Sequence, residues 1–451
     1  MTECNQSRFE FAGPERRQVV AQFDGGVMSS DGGALLLRQT DRRLNLLGRA
    51  AACFDDHRDP LLIKHPVEEL LAQRVYGLAL GYEDLSDHDQ LRHDPLLGLV
   101  SGKQHPGEEP LAGKSTLNRL ELSTEEPNRY KKICCRQEAL DELLTTLFVE
   151  AHPRPPKSIV LDLDATDMPL HGSQEGRFFH GYYKAYCYLP LYIFSGEHVL
   201  CARLRTADKD AAAGSREEVK RIVEQIRQSW PRVQIILRAD SGFCRDELMS
   251  WCEENKVDYV FGLARNERLR HEIEEAMTQA GEQQQATGKA ARVFTEFEYQ
   301  TRESWSRARR VVAKAEQLEG KENARFVVTS LSAEEWPAQR LYEQMYCARG
   351  EMENRIKEQL WLFADRVSAA SMRANQVRLS MAALAYVLVE GLRRLGLRGT
   401  KWARAQALTI RARLLKIGAR IRITVRKVWI SLASSYPLQR VFAHAWGQLR
   451  C

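Results

Sequence analysis

The alternation of apolar and polar residues defines one strand clearly. Across Ser158–Ala165, Ile159, Leu161 and Leu163 face one way, and Val160, Asp162 and Asp164 face the other. Tyr182–Phe194 and His198–Arg205 are rich in aromatic and β-branched residues. Joined by Ser195-Gly196-Glu197, they predict a hairpin. An amphipathic helix over Ser215–Trp230 follows, then a strand over Val233–Ala239, a helix over Arg245–Asn255 and a strand over Val257–Leu263. This order predicts an α/β fold, a mixed sheet with crossover helices.

The flanks carry other periods. Around Asp31–Leu47 and Val67–Leu80 the apolar residues recur at helical spacing, punctuated by Pro60 and Pro66, so the first 150 residues read as mainly helical. Pro153-Arg154-Pro155-Pro156 marks a boundary. Arg292–Gln300, Ala308–Lys314 and Ala324–Ser330 read as short strands of a β-rich insertion spanning about 285–335. Helical spacing resumes over Ala338–Phe363 and Val367–Arg394. Three regions result: a mainly helical 1–152, an α/β core over 153–365 and a helical, basic 366–451.

Composition narrows the class. With 451 residues, 44% hydrophobic and 28% charged, the chain is too apolar to be disordered. Its longest nearly uninterrupted apolar run, Leu379–Val389, is too short to cross a bilayer, and Met1–Arg17 lacks a signal-peptide core. The expectation is a cytoplasmic protein without a membrane partner. Ten cysteines form no C-x-x-C pair and read as reduced, mostly buried thiols.

Charge is unevenly placed. No acidic residue follows Glu390, whereas residues 391–451 hold 14 basic ones; the preceding 390 residues carry 52 basic against 60 acidic. A tail that meets phosphate is the favoured reading, against one that pairs with acidic surface elsewhere.

Three acids sit where a sheet enzyme would place them. Asp162 and Asp164 share the polar face of their strand. Asp240 follows the strand Val233–Ala239 and leads through Ser241-Gly242 into a helix, and carboxyl ends of strands are where ligands collect. Glu353 shares a predicted helical stripe with Tyr346, Arg349 and Lys357. Gathered carboxylates need a cation, and Mg²⁺ prefers such hard oxygen donors. Taken singly, each acid is more simply a solvated or capping residue.

The motifs shift that balance. Asp164-Ala165-Thr166, Arg238-Ala239-Asp240-Ser241-Gly242-Phe243 and Tyr346-x-x-Arg349-x-x-x-Glu353 resemble the three signatures of DDE transposases from bacterial insertion sequences. Further stretches resemble the insertion-sequence group numbered thirteen-eighty. They include Gly81-Tyr82-Glu83-Asp84, Leu91-Arg92-His93-Asp94-Pro95, Ser115–Glu121, His180-Gly181-Tyr182-Tyr183, Arg373-Ala374-Asn375-Gln376 and Leu414–Ala419.

The resemblance implies an RNase H-like core, two Mg²⁺ ions with Mn²⁺ as a possible substitute, and DNA cleavage followed by strand transfer. It assigns Asp164, Asp240 and Glu353 as metal-binding catalytic acids, 76 and then 113 residues apart. Asp162 stands behind them in support. Tyr346 and Arg349 match positions that contact the transposon end, and Trp305 is the candidate wedge from the insertion, with a packing residue among Ser and Arg as the equal alternative. The superfamily's lysine, seven residues after the glutamate, is here Leu360, so Lys357 is the candidate replacement. Implied partners are double-stranded DNA, as inverted-repeat ends and as target, and a second copy in a paired-end dimer, on the bacterial nucleoid. The region 1–152 is expected to bind DNA. A Mg²⁺-dependent nuclease without strand transfer, or an inactive DNA-binding derivative, is the alternative.

Asp87, His88, Asp89, His93 and Asp94 lack a metal-site spacing and read as caps and surface hydrogen bonds. Gly107–Ser115 lacks a glycine required of a phosphate loop and follows no strand.

Overall fold

The computed structural model describes residues 8–13 and 17–450. The chain divides into two compact units. One comprises 136–360 with 364–383, and the other 1–135, 361–363 and 384–451.

The unit 136–360 is built on a nine-stranded sheet. Its main strands are β1 (Ser158–Ala165), β2 (Leu191–Ser195), β3 (His198–Arg203), β4 (Gln234–Ala239), β5 (Asp258–Leu263), β6 (Ala291–Tyr299), β7 (Arg309–Leu318) and β8 (Arg325–Thr329). Their spatial order is 3-2-1-4-5-8-7-6, with the two-residue strand Lys321–Glu322 paired to β7. β1, β4 and β5 run parallel, and every other neighbour pair is antiparallel.

Both faces are covered. Ile159, Leu161 and Leu163 of β1 pack with Val219, Ile222, Val223 and Ile226 of α1 (Ser215–Ser229) and with Leu248, Met249 and Cys252 of α2 (Asp246–Glu254). Each large aliphatic side chain so buried contributes about 1.5–3 kcal/mol. On the opposite face, Ile236, Val260, Val312 and Val327 pack against Leu341, Tyr342 and Met345. That second face carries Asp162 and Asp164, so the segment covering it brings its own polar residues to them.

The sheet differs from the expected pattern in three ways. Tyr182–Phe194 is not one strand, because Pro190 interrupts it and has no N–H to donate. Ala185–Tyr188 instead joins Phe178–His180 and Met168–Pro169 in a separate three-stranded sheet. The strands of the insertion extend the main sheet from β5. Helices Glu267–Glu272 and Glu274–Thr287 precede them, burying Leu269, Ile273, Ala276 and Ala280.

The second segment of this unit covers an edge. Gln376, in helix α3 (Met372–Gly391), donates to the Ala202 carbonyl at 3.0 Å and accepts from the Leu204 N–H at 2.6 Å. This side chain thus pairs with the outer strand β3, which would otherwise be an open edge. Asn375 likewise bonds both backbone groups of Ala369 at 2.9 Å.

The other unit is centred on the helix Val67–Leu80, buried over nearly its whole length. Arg74 pairs with Glu121 at 2.7 Å, and Gln73 bonds the Ala112 backbone and His88. Asp94 caps the helix Pro95–Val100, and Asp89 accepts from the Lys114 N–H. The crowded His/Asp stretch is therefore occupied by caps and hydrogen bonds.

Near the chain's end, this unit departs from the expected all-helical tail. Ala419, Ile421, Val428, Ile430 and Leu432 alternate along β9 (Ala419–Ile423) and β10 (Val428–Leu432), which pair with each other, and β9 pairs on its other side with Met28–Ser29. Gly32 and Gly33 permit the close approach beneath them. A Cβ on Gly33 would lie 2.2 Å from the Leu414 carbonyl oxygen. Beside it, Asp31 pairs with Lys416 at 2.6 Å and accepts from the Tyr82 hydroxyl at 2.6 Å. No helix among the described residues is long and apolar enough to cross a membrane.

Candidate active site

The parallel register of β1 and β4 assembles the first half of the site. Asp162 lies opposite Arg238 and Leu163 opposite Ala239, so one further step sets Asp240 beside Asp164. The 76-residue spacing is this register. Adjacent strands stand about 4.7–4.9 Å apart, which makes the two carboxylates lateral neighbours at the strands' carboxyl ends. Asp240 leaves the strand as the cap of the turn Ser241–Phe243, accepting from the Gly242 N–H at 2.8 Å.

Asp164 is more enclosed than Glu353. Burial pushes its carboxyl up to about 6; Asp240 and Glu353 add to the rise, and Arg349 opposes it. Like charges that share a site resist joint ionisation, and a cation beside them relieves that repulsion.

The third acid arrives on an irregular helix. The chain makes a π-helical turn over Leu341–Tyr346 and a 3₁₀ turn over Cys347–Arg349 before α-helix Gly350–Trp361 begins. The predicted even stripe from Tyr346 to Lys357 is therefore broken between Tyr346 and Arg349. The Arg349 guanidinium stands between Asp164, at 3.4 Å, and Glu353, at 3.5 Å. Glu353 is half-exposed, and Lys357, one turn on, is exposed.

Tyr346 packs through an absence. A Cβ on Gly262 of β5 would lie 2.5 Å from the Tyr346 hydroxyl and 3.0 Å from the Ser241 nitrogen. Glycine at this position lets the phenol lie against the turn after Asp240. Burial raises the Tyr346 pKa, with Asp240 adding and Arg349 opposing. A cavity of about 460 Å³ opens here, lined in part by Ser241, Gly262, Arg265, Arg325 and Tyr346.

Asp162 takes a different role from its neighbour. Arg238 grips it with two bonds, Nε at 2.5 Å and Nη2 at 2.8 Å, and donates its remaining Nη1 to the Met345 carbonyl at 2.6 Å. Burial pushes the Asp162 carboxyl up, against the pull of Arg238. This pair fastens the turn that carries Tyr346 and Arg349 to the sheet. Arg238 stood in a recognised motif without an assigned task; its signal was that it shares with Asp162 the spacing that relates Asp240 to Asp164. Tyr183 was also missed. It packs against Cys187, Leu189 and Ala207, and burial, then the charges of Asp167, Asp164 and Asp240, push its hydroxyl up to about 12.

Trp305 lies elsewhere. It is buried, meets Tyr299 edge-on at 5.8 Å between ring centres, and carries the Arg309 guanidinium over its face. Its contacts are core contacts and include none of the carboxylates.

The donor set Asp164, Asp240 and Glu353 is oxygen-only and anionic, which suits a hard divalent ion. Asp164 and Asp240 are the two that the strand register brings side by side. Among the described residues no three acidic, histidine or cysteine side chains converge to ligate one. Arg349 provides the counter-charge in this arrangement.

The profile of a family described as transposase DDE domain, group 1, matches residues 11–451. No curated protein matches the chain. Among solved structures, a cryo-EM structure of a piggyBac transposase synaptic complex with hairpin DNA is similar at 11% identity and a TM-score of 0.42, over 86% of this chain and 80% of that one.

Proposed function

The chain belongs to the transposase DDE domain group 1 family, and from that premise we propose that it is the transposase of a bacterial insertion sequence of group thirteen-eighty. It binds the element's inverted-repeat ends, cuts the DNA there and joins the freed end to a target. The observation that carries this reading is the register that sets Asp164 beside Asp240, with Glu353 tied to Asp164 through Arg349. The 3-2-1-4-5 strand order, antiparallel at β2 and parallel from β1 to β5, supports an RNase H-like core.

Asp164, Asp240 and Glu353 would hold two Mg²⁺ ions, or Mn²⁺ in their place. Such ions supply Lewis acidity for in-line phosphoryl displacement and acidify the attacking water. Arg349, released from the carboxylates, pairs with a non-bridging phosphate oxygen of the DNA end. Tyr346 holds the sugar-phosphate against the turn at Asp240, and the exposed Lys357 takes a neighbouring phosphate. Asp162 and Arg238 keep the helix in place. No covalent enzyme intermediate is required. Region 1–152 adds end recognition, and two copies pair two ends, on the nucleoid of the cytoplasm.

The test is cleavage of a duplex carrying the element's terminal repeat, with wild type, Asp164→Asn, Asp240→Asn and Glu353→Gln, in Mg²⁺ and in EDTA. The expected result is metal-dependent cutting at the repeat boundary by wild type alone, with duplex binding retained by all four and a joined product when target DNA is added. Cutting without joining would make the protein a nuclease. Normal cutting by any one variant would remove that residue from the catalytic set.

A further inference from the structure

We infer that the hairpin β9–β10 is a DNA-reading ribbon, which enters the major groove of a duplex with its tip. The inference rests on the transposase reading above for its partner and on the hairpin itself for its mode.

One side of the ribbon is used up by the fold. Ala419 and Ile421 are buried, β9 pairs with Met28–Ser29, and Leu432 lies over Gly32. On the other side Arg420 lies against Gly26, whereas Arg422, Trp429 and the turn beyond them are open. Arg422 lies directly across from Trp429, which is half-exposed, and Arg422 and Lys427 hold their charges 5.7 and 5.5 Å from its ring. The turn is closed by the Thr424 N–H and hydroxyl, both donating to the Lys427 carbonyl. It leaves Val425 fully exposed, with Arg426 beside it. Among the described residues, none of Arg422, Arg426 and Lys427 has a carboxylate partner, and no acid follows Glu390 to provide one.

A solvated surface does not need an exposed valine at a turn or an open tryptophan flanked by cations. A nucleic-acid surface uses all three: cations for phosphates, an apolar tip for thymine methyls, and an aromatic plane for sugar or base. Dimensions select the duplex. Five-residue strands extend about 17 Å, and a two-stranded ribbon fits the roughly 12 Å major groove of B-DNA. The deep, narrow major groove of A-form RNA does not admit it.

The experiment uses the full chain and fluorescence anisotropy from 50 to 300 mM NaCl. The probes are a duplex of the element's terminal repeat, an unrelated DNA duplex and an RNA duplex of equal length. The triple variant Arg422→Ala/Arg426→Ala/Lys427→Ala is compared with Lys220→Ala/Arg232→Ala/Lys256→Ala, which removes equal charge from exposed positions elsewhere. Three lost phosphate contacts should lower the slope of log affinity against log salt by about 2–3 for the hairpin variant. The charge-matched control should keep the wild-type slope. Trp429→Ala, with all its charges, should bind DNA more weakly at unchanged slope.

An unchanged slope in the hairpin triple, with wild type binding DNA normally, overturns the ribbon and leaves the transposase reading intact. Equal binding of the RNA duplex overturns the groove assignment. Failure of wild type to bind any DNA removes both readings together.

Discussion

Replacing Arg238 by Met removes the guanidinium from a pair whose side chains are only 9% and 7% exposed. Breaking such a buried pair from one side costs about 3–5 kcal/mol, because the partner is left charged and unpaired. At roughly 2–4 °C per kcal/mol for a unit of this size, the unfolding midpoint falls by about 6–20 °C. The loss depends on pH. Burial already holds the Asp162 carboxyl above its ordinary value, and removing Arg238 takes it higher. The folded state then binds that proton more tightly than the unfolded chain does. The variant is therefore closest to wild type below the ordinary carboxylate range, and it loses stability as pH rises through the folded value. The double variant Asp162→Leu/Arg238→Met removes both charges and should regain most of the stability, since apolar replacements of buried pairs are often neutral. It should not regain activity. Its Met345 carbonyl has lost the Nη1 donor, so the turn bearing Tyr346 and Arg349 is loose, and a misplacement near 1 Å can cost about 10²-fold in rate. Calorimetry and terminal-repeat cleavage, run on the same preparations, separate the two effects. Recovery of both stability and cleavage by the double variant would refute the positioning role, as would a single-variant cost below about 1 kcal/mol.

Other outcomes follow from single contacts. Gly262→Ala places a Cβ where the Tyr346 hydroxyl and the Ser241 nitrogen now crowd, so cleavage should fall about tenfold or more while the fold persists; Gly262→Ala/Tyr346→Phe, which removes the nearer atom, should recover part of it in the same assay. His88, buried and held down to about 3, is neutral in the fold but takes a proton near 6.5 when unfolded. Its contribution is complete above that value and is lost as pH falls, by about 2 kcal/mol between pH 7 and pH 5, and His88→Gln should flatten that slope in denaturant titrations. Lys416→Met leaves the enclosed Asp31 without its cation, and should lower stability by about 1–3 kcal/mol by the same titration at pH 7.

Legibility in the sequence followed the strength of each local period. β1 was readable residue by residue, because Ile159, Leu161 and Leu163 alternate without exception and each is buried. The helix Glu274–Thr287 was not, because its inward positions are alanines, small and weakly apolar among Gln and Glu. The strands of the tail hid among arginines, whose outward positions read as charge alone, although Ile421, Val428 and Ile430 held the two-residue period. The irregular turn at Tyr346 had no local signature; tertiary packing of Leu341, Tyr342 and Met345 on the sheet imposes it. Trp305 illustrates the converse. Its Ser and Arg neighbours in sequence left wedge and packing residue equally open, and Tyr299 and Arg309, from two strands, enclose it.

The structural and chemical parts of the site are one register read at two positions. Sliding β4 by one residue against β1 would turn Asp240 to the face filled by Leu161 and Leu163, and would turn Arg238 with it. A slip of two residues would keep the faces but set Arg238 beside Asp164 or Val160 and leave Asp162 buried without a cation. Either error exposes a carboxylate to apolar packing or strands a charge, at a cost of several kcal/mol. The pair Asp162–Arg238 therefore does more than hold a helix. It selects, against every neighbouring alignment, the one that sets Asp164 beside Asp240. This accounts for a buried arginine lying two residues before the second acid, where an aliphatic side chain would pack as well and specify nothing.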